Sequence, residues 1–354
     1  MEKIFFAEKL VNWYKSNLRD LPWRHTQNPY YIWLSEVILQ QTRVAQGLPY
    51  YRAFIEAFPT VQDLAQADEQ EVLRLWQGLG YYSRARNLHT TAKMVVENHG
   101  GIFPNTYKDL LTLKGIGTYT AAAIASFAFG EKVAVLDGNV YRVLARVFGE
   151  ETDISSSNAK KVFTELATSL LPEQQTDTYN QAVMEFGALY CTPASPQCMF
   201  CTFQIECMAN ATGKQAILPI KTKKTKVTER FFHYLVFQKG EKIAMKQRKP
   251  KDVWEGMYDF YLIEDKQELD WEALVEQDTF LSQQQNELTI LKETTSYKHI
   301  LSHQRIFTKF YHLELSTKID TFPEGLVFYS LNEVDDLPKS TLVNNFLKEH
   351  IFKN

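Results

Sequence analysis

Cysteine is scarce in this chain of 354 residues: there are four, all inside one seventeen-residue window, Cys191 to Cys207. With no thiol elsewhere a distributed disulfide framework is excluded, and a chain that is 45% apolar has core enough not to need one. Excess positive charge is missing too. Lys and Arg number 39 against 42 acids, a formal net charge of −3, so any contact with nucleic acid has to come from local patches and backbone amides. No apolar run is long enough to cross a bilayer: the most apolar, Thr118 to Phe129, falls well short of the roughly 20 residues a span requires. Met1 to Tyr14 reads as an amphipathic helix with charges spread through it, not as an export signal, and the expected compartment is the cytoplasm. Internal repeats and low-complexity segments are absent.

What is present falls into two textures, and the length allows about two domains. Up to about residue 210 the chain reads as helix after helix. Asn28-Pro29 starts one by cap and first-turn proline, Thr60 starts another, and Pro104-Asn105-Thr106 starts a third; Gly78, Gly80, Gly100 and Gly101 mark stops between them. Residues 219–228 carry four lysines and no acid, as a solvated linker does. Beyond it β-branched and aromatic runs at 231–237, 242–246, 258–263, 305–315 and 325–330 predict strands, with an acidic helix near Trp271 to Leu281. The expected fold class is α+β: an all-α region over 1–218, a linker over 219–228, and a smaller α+β domain over 229–354.

Three features carry chemistry. Cys191, Cys198, Cys201 and Cys207 form a C-x6-C-x2-C-x5-C array, and four thiolates suit tetrahedral zinc or a [4Fe–4S] cluster; spacing leaves the two level, with reduced core thiols as the bland alternative. Leu110 to Ala123 reads as two apolar helices joined by a turn with Gly115 and Gly117 two apart. Outward-pointing amides at the second helix start would make a phosphate site, unless the glycines only make the turn. Third, Glu36 lies in the very apolar helix around Tyr31 to Thr42, where a raised pKa would let it hold a proton near neutral pH. Asp137, just before Gly138-Asn139-Val140, can cap a helix and stay ionised. An acid and a persistent anion are what cleavage of a glycosidic bond through an oxocarbenium-like state requires. The alternatives are an Asp137 that is only a cap and a Glu36 paired with Arg43.

Taken in order, Leu113-Lys114-Gly115-Ile116-Gly117, Val135-Leu136-Asp137-Gly138-Asn139-Val140 and the four-cysteine loop resemble the helix–hairpin–helix DNA glycosylases of the endonuclease III type. Within them the chain is most similar to the MutY-type adenine DNA glycosylases. Leu21-Pro22-Trp23-Arg24, Ser35 to Thr42, Gly78 to Leu88 and Asn180-Gln181-Ala182 leading to Glu185 carry that likeness along nearly the whole chain. It implies a [4Fe–4S] cluster on the four cysteines and, as partner, double-stranded DNA in which adenine stands opposite 8-oxoguanine or guanine. A monomer associated with the nucleoid in a bacterial cell is expected.

Bifunctional members of the family carry a lysine where this chain has Tyr119, and a phenol cannot form a Schiff base; the implied enzyme is monofunctional and uses water. By the resemblance, Gln41 and Tyr81 would wedge into the duplex on the 8-oxoguanine side once adenine is flipped out. Arg19, Trp23, Arg24, Leu39 and Glu185 would surround the adenine. Glu36 would protonate N7 and assist water, and Asp137 would stabilise the sugar cation, with Tyr119 and Asn139 holding that region and the Gly115 and Gly117 amides meeting DNA backbone. Core packing is the plain alternative for the pocket residues.

The C-terminal texture suits the Nudix-like domain of these enzymes, yet no segment supplies the glutamate-rich helix a Nudix hydrolase needs for magnesium. A recognition module for 8-oxoguanine is therefore expected, carried by His299 to His303: Leu301 as wedge in place of the family phenylalanine, Ser302 as polar reader, His303 as backbone contact. A bifunctional glycosylase/lyase, a non-catalytic damage sensor on the same fold and a Nudix-type pyrophosphatase are the rival readings.

Overall fold

A computed structural model describes residues 3–223 and 226–352; the linker residues Lys224 and Thr225, like Met1 and Glu2 of the first expected helix, lie outside the described residues. The chain divides into two compact units, one made of 1–66 and 87–224 and the other of 67–86 and 225–354.

The first unit is helical. In the helix Lys3–Asn17, Phe6, Leu10 and Tyr14 recur every four residues and are buried with Val140, Val143, Phe163, Phe186 and Phe203 in one core. The helix Pro29–Ile38 starts as its sequence predicts, the Asn28 side chain accepting from the Tyr30 amide and Pro29 filling the first turn. It is apolar all round and correspondingly buried from Ile32 to Ile38. Ala121 to Ala125 of the helix Thr118–Phe129 are buried, their small side chains allowing close helix packing. The helix Gly138–Phe148 is capped by Asp137, and the helix Thr176–Leu189 completes the region. Residues beyond the last of these helices remain attached to the first unit: the Ile220 carbonyl accepts from Ile154, and the Thr222 amide donates to Asp153 at 3.3 Å.

In the hairpin, Gly115 has φ +84°, and a Cβ there would meet the Asn87 Cβ at 2.8 Å, so both conformation and packing require glycine. Gly117 differs. It is the N-cap of Thr118–Phe129 without a side-chain cap bond, and nothing stands within 4 Å of where its Cβ would be.

The second unit is built on a mixed sheet of β1 (Thr228–Lys239), β2 (Lys242–Gln247), β3 (Tyr258–Asp259), β4 (Tyr261–Asp265), β5 (Leu288–Glu293), β6 (Tyr297–Ile300), β7 (Gln304–Leu315) and β8 (Val327–Ser330). β1 and β7 run parallel at its centre, from Thr228 opposite Gln304 to Gln238 opposite Glu314, and the other pairings are antiparallel. Leu235, Phe237, Tyr311 and Leu313 from these central strands pack on Leu274 and Leu281 of the helices Trp271–Gln277 and Thr279–Gln284. The single acidic helix expected here is two helices, because Asp278 ends one and caps the next. β5 and β6, at the side of β7, and the helices Leu331–Asp336 and Thr341–His350 were not foreseen. β5 is exposed along most of its length and lacks the burial alternation that marks a strand in sequence.

The same unit takes in 67–86. Gln70 Nε2 donates to the Tyr258 hydroxyl at 3.0 Å, Arg86 Nη1 to the Glu255 carbonyl at 2.7 Å, and the Lys339 amide to Gln77 Oε1 at 3.0 Å. Among the described residues no helix is long and apolar enough to cross a membrane.

Candidate active site and cysteine centre

Two cavities open in the helical unit and share Glu36, Leu39, Arg43, Tyr119, Asp137 and Asn139. The first, about 580 Å3, adds Arg19, Trp23, Arg24, Gln181 and Glu185; the second, about 820 Å3, adds Gln41, Gly115 and Gly117. Expected residues as far apart as Arg19 and Glu185 are thus brought together, Tyr81 lying elsewhere, and among the described residues no lysine lines either cavity.

Glu36 sits in the last turn of the apolar helix Pro29–Ile38, and burial pushes its carboxyl up to about 7, despite the Tyr119 hydroxyl that donates to its Oε2. Asp137 adds to the upward push and Arg24 opposes it. Among the described residues Tyr119 takes the position the alternative reading gave to Arg43, which makes no ion pair with Glu36. Asp137 caps its helix through the Val140 amide at 2.7 Å and accepts from Asn139 Nδ2 at 2.7 Å. Burial raises its carboxyl as well, against these donors and the Arg142 guanidinium. Burial thus acts on both acids, and each has a cation nearby, Arg24 and Arg142; they differ in donors, the Tyr119 hydroxyl for Glu36 against the Val140 and Asn139 N–H groups for Asp137.

Glu185, 1% exposed, is gripped by two arginines: Arg19 donates through Nε at 2.8 Å and Nη2 at 2.6 Å, Arg24 through Nη1 at 3.0 Å and Nη2 at 2.6 Å. Burial alone would raise this carboxyl, but the Arg19 and Arg24 hydrogen bonds hold it down at about 2. Beside it the Trp23 ring meets Tyr51 edge-on at 5.0 Å. A wall with a flat aromatic, a fixed anion and forked N–H donors, facing a proton-holding carboxyl, is chemically suited to a planar heterocycle that leaves once protonated.

Arg142 was not singled out from sequence. Its guanidinium donates to Asn139 Oδ1 at 2.8 Å, to the Gly187 carbonyl at 2.6 Å and to the Cys191 carbonyl at 2.7 Å. Its place one turn after Asp137 was the available signal, hidden because an arginine on an amphipathic helix ordinarily faces solvent.

Cys191, Cys198, Cys201 and Cys207 line one cavity with Arg146, Phe186 and Tyr190, and among the described residues no carboxylate or imidazole is one of the lining groups. Burial pushes the Cys201 thiol up to about 11, with Cys191, Cys207 and Cys198 pushing the same way. Among the described residues no three His, Cys, Asp or Glu side chains gather closely enough to hold a single metal ion. An all-sulfur donor set around one cavity, with Arg146 Nη1 3.5 Å from Cys191 Sγ, fits a soft metal centre.

In the second unit a cavity of about 640 Å3 is lined by Tyr81, Arg86, Lys251, Trp254, His299, Ile300, Leu301, Ser302 and His303, among others. Leu301 to His303 make the turn between β6 and β7, the Leu301 amide donating to the Gln304 carbonyl and the His303 carbonyl accepting from Thr228. Ser302 Oγ and the Tyr81 hydroxyl are hydrogen-bonded. Leu301 is half-buried, whereas Ile300 is 70% exposed and is the more prominent apolar side chain.

Comparison with known proteins fits this geometry. Residues 34–169 match the HhH-GPD superfamily base excision DNA repair protein model, and residues 233–349 match a NUDIX domain. The adenine DNA glycosylase of Buchnera aphidicola subsp. Baizongia pistaciae is 33% identical over 94% of this chain and 93% of its own length; that of Homo sapiens is 44% identical over 59% of this chain and 40% of its own. Among solved structures, a thermostable thymine-DNA glycosylase is similar with a TM-score of 0.56 at 30% identity, covering 59% of this chain and 97% of the other. An endonuclease III–DNA complex shares the fold, with a TM-score of 0.52 at 22% identity over 61% of this chain and 99% of the other.

Proposed function

The chain belongs to the adenine DNA glycosylases of the HhH-GPD base excision repair superfamily, and from that premise we propose that it hydrolyses the N-glycosidic bond of adenine mispaired with 8-oxoguanine or guanine in duplex DNA, without cleaving the strand. It acts as a monomer in the cytoplasm. The observation that carries the chemistry is the Glu36 carboxyl, raised to about 7 and lining the same cavity as the Arg19–Glu185–Arg24 fork.

Adenine is inaccessible while stacked, so it is flipped out of the duplex into the first cavity. There Trp23 and Leu39 offer apolar faces, and Arg24, Arg19 and Glu185 offer fixed donors and acceptors to the base edge. Glu36 gives its proton to N7, which makes the base a neutral leaving group. The electron pair of the C1′–N9 bond departs with the base, leaving positive charge on the sugar. Asp137, held in place by Val140 and Asn139, stabilises that charge. Glu36, now ionised, takes a proton from the attacking water. Tyr119 holds the carboxyl through its hydroxyl, and the absence of a lysine from both cavities among the described residues supports water as nucleophile.

Gln41 and Tyr81 act as wedges, the Gly115 and Gly117 amides meet phosphate, and Leu301, Ser302 and His303 read 8-oxoguanine. Gln41 and Tyr81 both carry φ in the left-handed region, +55° and +51°, a strain that suits residues held out from their turns. Cys191, Cys198, Cys201 and Cys207 would hold a [4Fe–4S] cluster. When bound, that group supplies a rigid cross-link for the loop, with no part in bond cleavage.

The test is incubation of the purified protein with duplexes containing A opposite 8-oxoguanine, A opposite G and A opposite T, with and without alkali. Strand breaks only after alkali, fastest opposite 8-oxoguanine, are expected. Breaks without alkali would reject the monofunctional reading, and equal rates for the first two duplexes would reject the 8-oxoguanine preference.

A further inference from the structure

The turn that carries Tyr81 is held from behind. Gly78, Gly80 and Tyr81 have φ of +95°, +78° and +51°, and for the tyrosine this conformation costs roughly 1–2 kcal/mol that neighbouring contacts must offset. Two donors converge on the Gly80 carbonyl, Trp76 Nε1 at 3.0 Å and Arg84 Nη2 at 3.1 Å. The same Arg84 guanidinium lies against two rings, 5.1 Å from the Trp76 centroid and 5.5 Å from the Tyr81 centroid. Trp76 is fully buried and Tyr81 is 42% exposed, so the stack runs from the core of the second unit outward to the cavity that also holds Ser302.

We propose that Arg84 is a positioning residue for recognition of the base opposite adenine: its guanidinium fixes the Tyr81 ring, and through it the Tyr81–Ser302 contact, in the orientation that meets 8-oxoguanine. This rests on the roles given above to Tyr81 and Ser302. A guanidinium is suited because it is planar. A planar cation can meet aromatic rings on its faces while its edge still donates to a carbonyl, and attraction to an aromatic face is stronger where water is excluded. Lysine keeps the charge and loses the flat stack. Glutamine loses both.

Single-turnover adenine release from A opposite 8-oxoguanine and A opposite G is measured with the full chain as wild type, Arg84→Gln, Arg84→Lys, Tyr81→Leu and the Tyr81→Leu/Arg84→Gln double variant. The ratio of the two rates is the readout, since general destabilisation lowers both rates together. Arg84→Gln is expected to reduce the ratio at least fivefold, Arg84→Lys to restore part of it, and Arg84→Gln to change it less than twofold once Tyr81 is leucine. An equal effect of Arg84→Gln in both backgrounds overturns the proposal, as does an unchanged ratio in Arg84→Gln. A wild type without preference rejects the 8-oxoguanine reading itself, and this proposal with it. Should Arg84→Gln fail to fold, Arg84→Lys with and without Tyr81→Leu gives the same comparison.

Discussion

Arg142 donates to the Cys191 carbonyl at 2.7 Å with one edge of its guanidinium and to the Asn139 side chain with the other. Asn139 in turn donates to Asp137, so a continuous run of hydrogen bonds joins the capping carboxylate to the first cysteine of the loop. Arg142→Gln leaves the Gly187 carbonyl without its charged donor and the Cys191 carbonyl with only the longer bond from Arg146 Nη1 at 3.5 Å. Leaving buried carbonyls without such a donor costs about 1–3 kcal/mol. Lower thermal stability and slower single-turnover adenine release are expected together. A variant of wild-type rate would show that Asn139 holds Asp137 unaided.

Glu36 must carry a proton to act as an acid. With its carboxyl at about 7, adenine release is expected to fall as pH rises through 7, and Glu36→Gln is expected to lower the rate by roughly 10²–10⁴-fold. A rate profile flat from pH 6 to 8.5, or a near-normal rate in Glu36→Gln, would remove Glu36 from the proton transfer.

The same carboxyl affects stability. Its pKa is higher folded than unfolded, so between the ordinary 4.5 and about 7 the folded state binds more proton, and the stability it confers is lost as pH rises through that window. Glu36→Gln cannot ionise and keeps an acceptor for Tyr119. Thermal melts should show it more stable than wild type at pH 8, by roughly 1–3 kcal/mol, and little different at pH 5. Parallel melting profiles across pH would contradict this.

Borohydride should not trap a covalent complex with DNA, because position 119 is a tyrosine and among the described residues no lysine lines either cavity of the helical unit. Efficient trapping would mean that an amine from elsewhere reaches C1′.

Deleting 229–354 would test the recognition module poorly, since 67–86 belongs to the same compact unit and would lose its packing. Ser302→Ala is the cleaner change: it removes one hydroxyl from a turn that Leu301, Gln304 and Thr228 hold through backbone bonds. A fall in the preference for A opposite 8-oxoguanine over A opposite G, with the melting temperature unchanged, is expected. An unaltered preference would relieve Ser302 of the reading role.

Residues 191–213 contain no lysine or arginine, so the cysteine loop has no cation of its own to offer a phosphate. Ser195→Ala combined with Gln197→Ala should leave the slope of log binding constant against log salt within about 1 of wild type. A large drop in slope would mean that the loop organises cations elsewhere.

Local patterns decided much by themselves. The Asn28-Pro29 start, the glycine hairpin, the Asp137 cap and the clustering of the cysteines are statements about neighbours along the chain, and hydrogen bonding within a turn depends on little else. The proton on Glu36 was legible for the same reason, because an all-round apolar helix has to be buried. Tertiary structure decided what depends on partners far away in sequence. Asp137 was expected to stay ionised as a helix cap, yet burial raises its carboxyl as it raises that of Glu36, and the Val140 and Asn139 donors and Arg142 work against that push. The grip of Arg19 and Arg24 on Glu185 spans more than 160 residues and reverses the effect of burial on that carboxyl. Residues 67–86 read as one more helical stretch, and only their packing on Tyr258, Glu255 and Lys339 assigns them to the C-terminal unit. Charge state and domain membership are properties of surroundings, and surroundings are set by the fold.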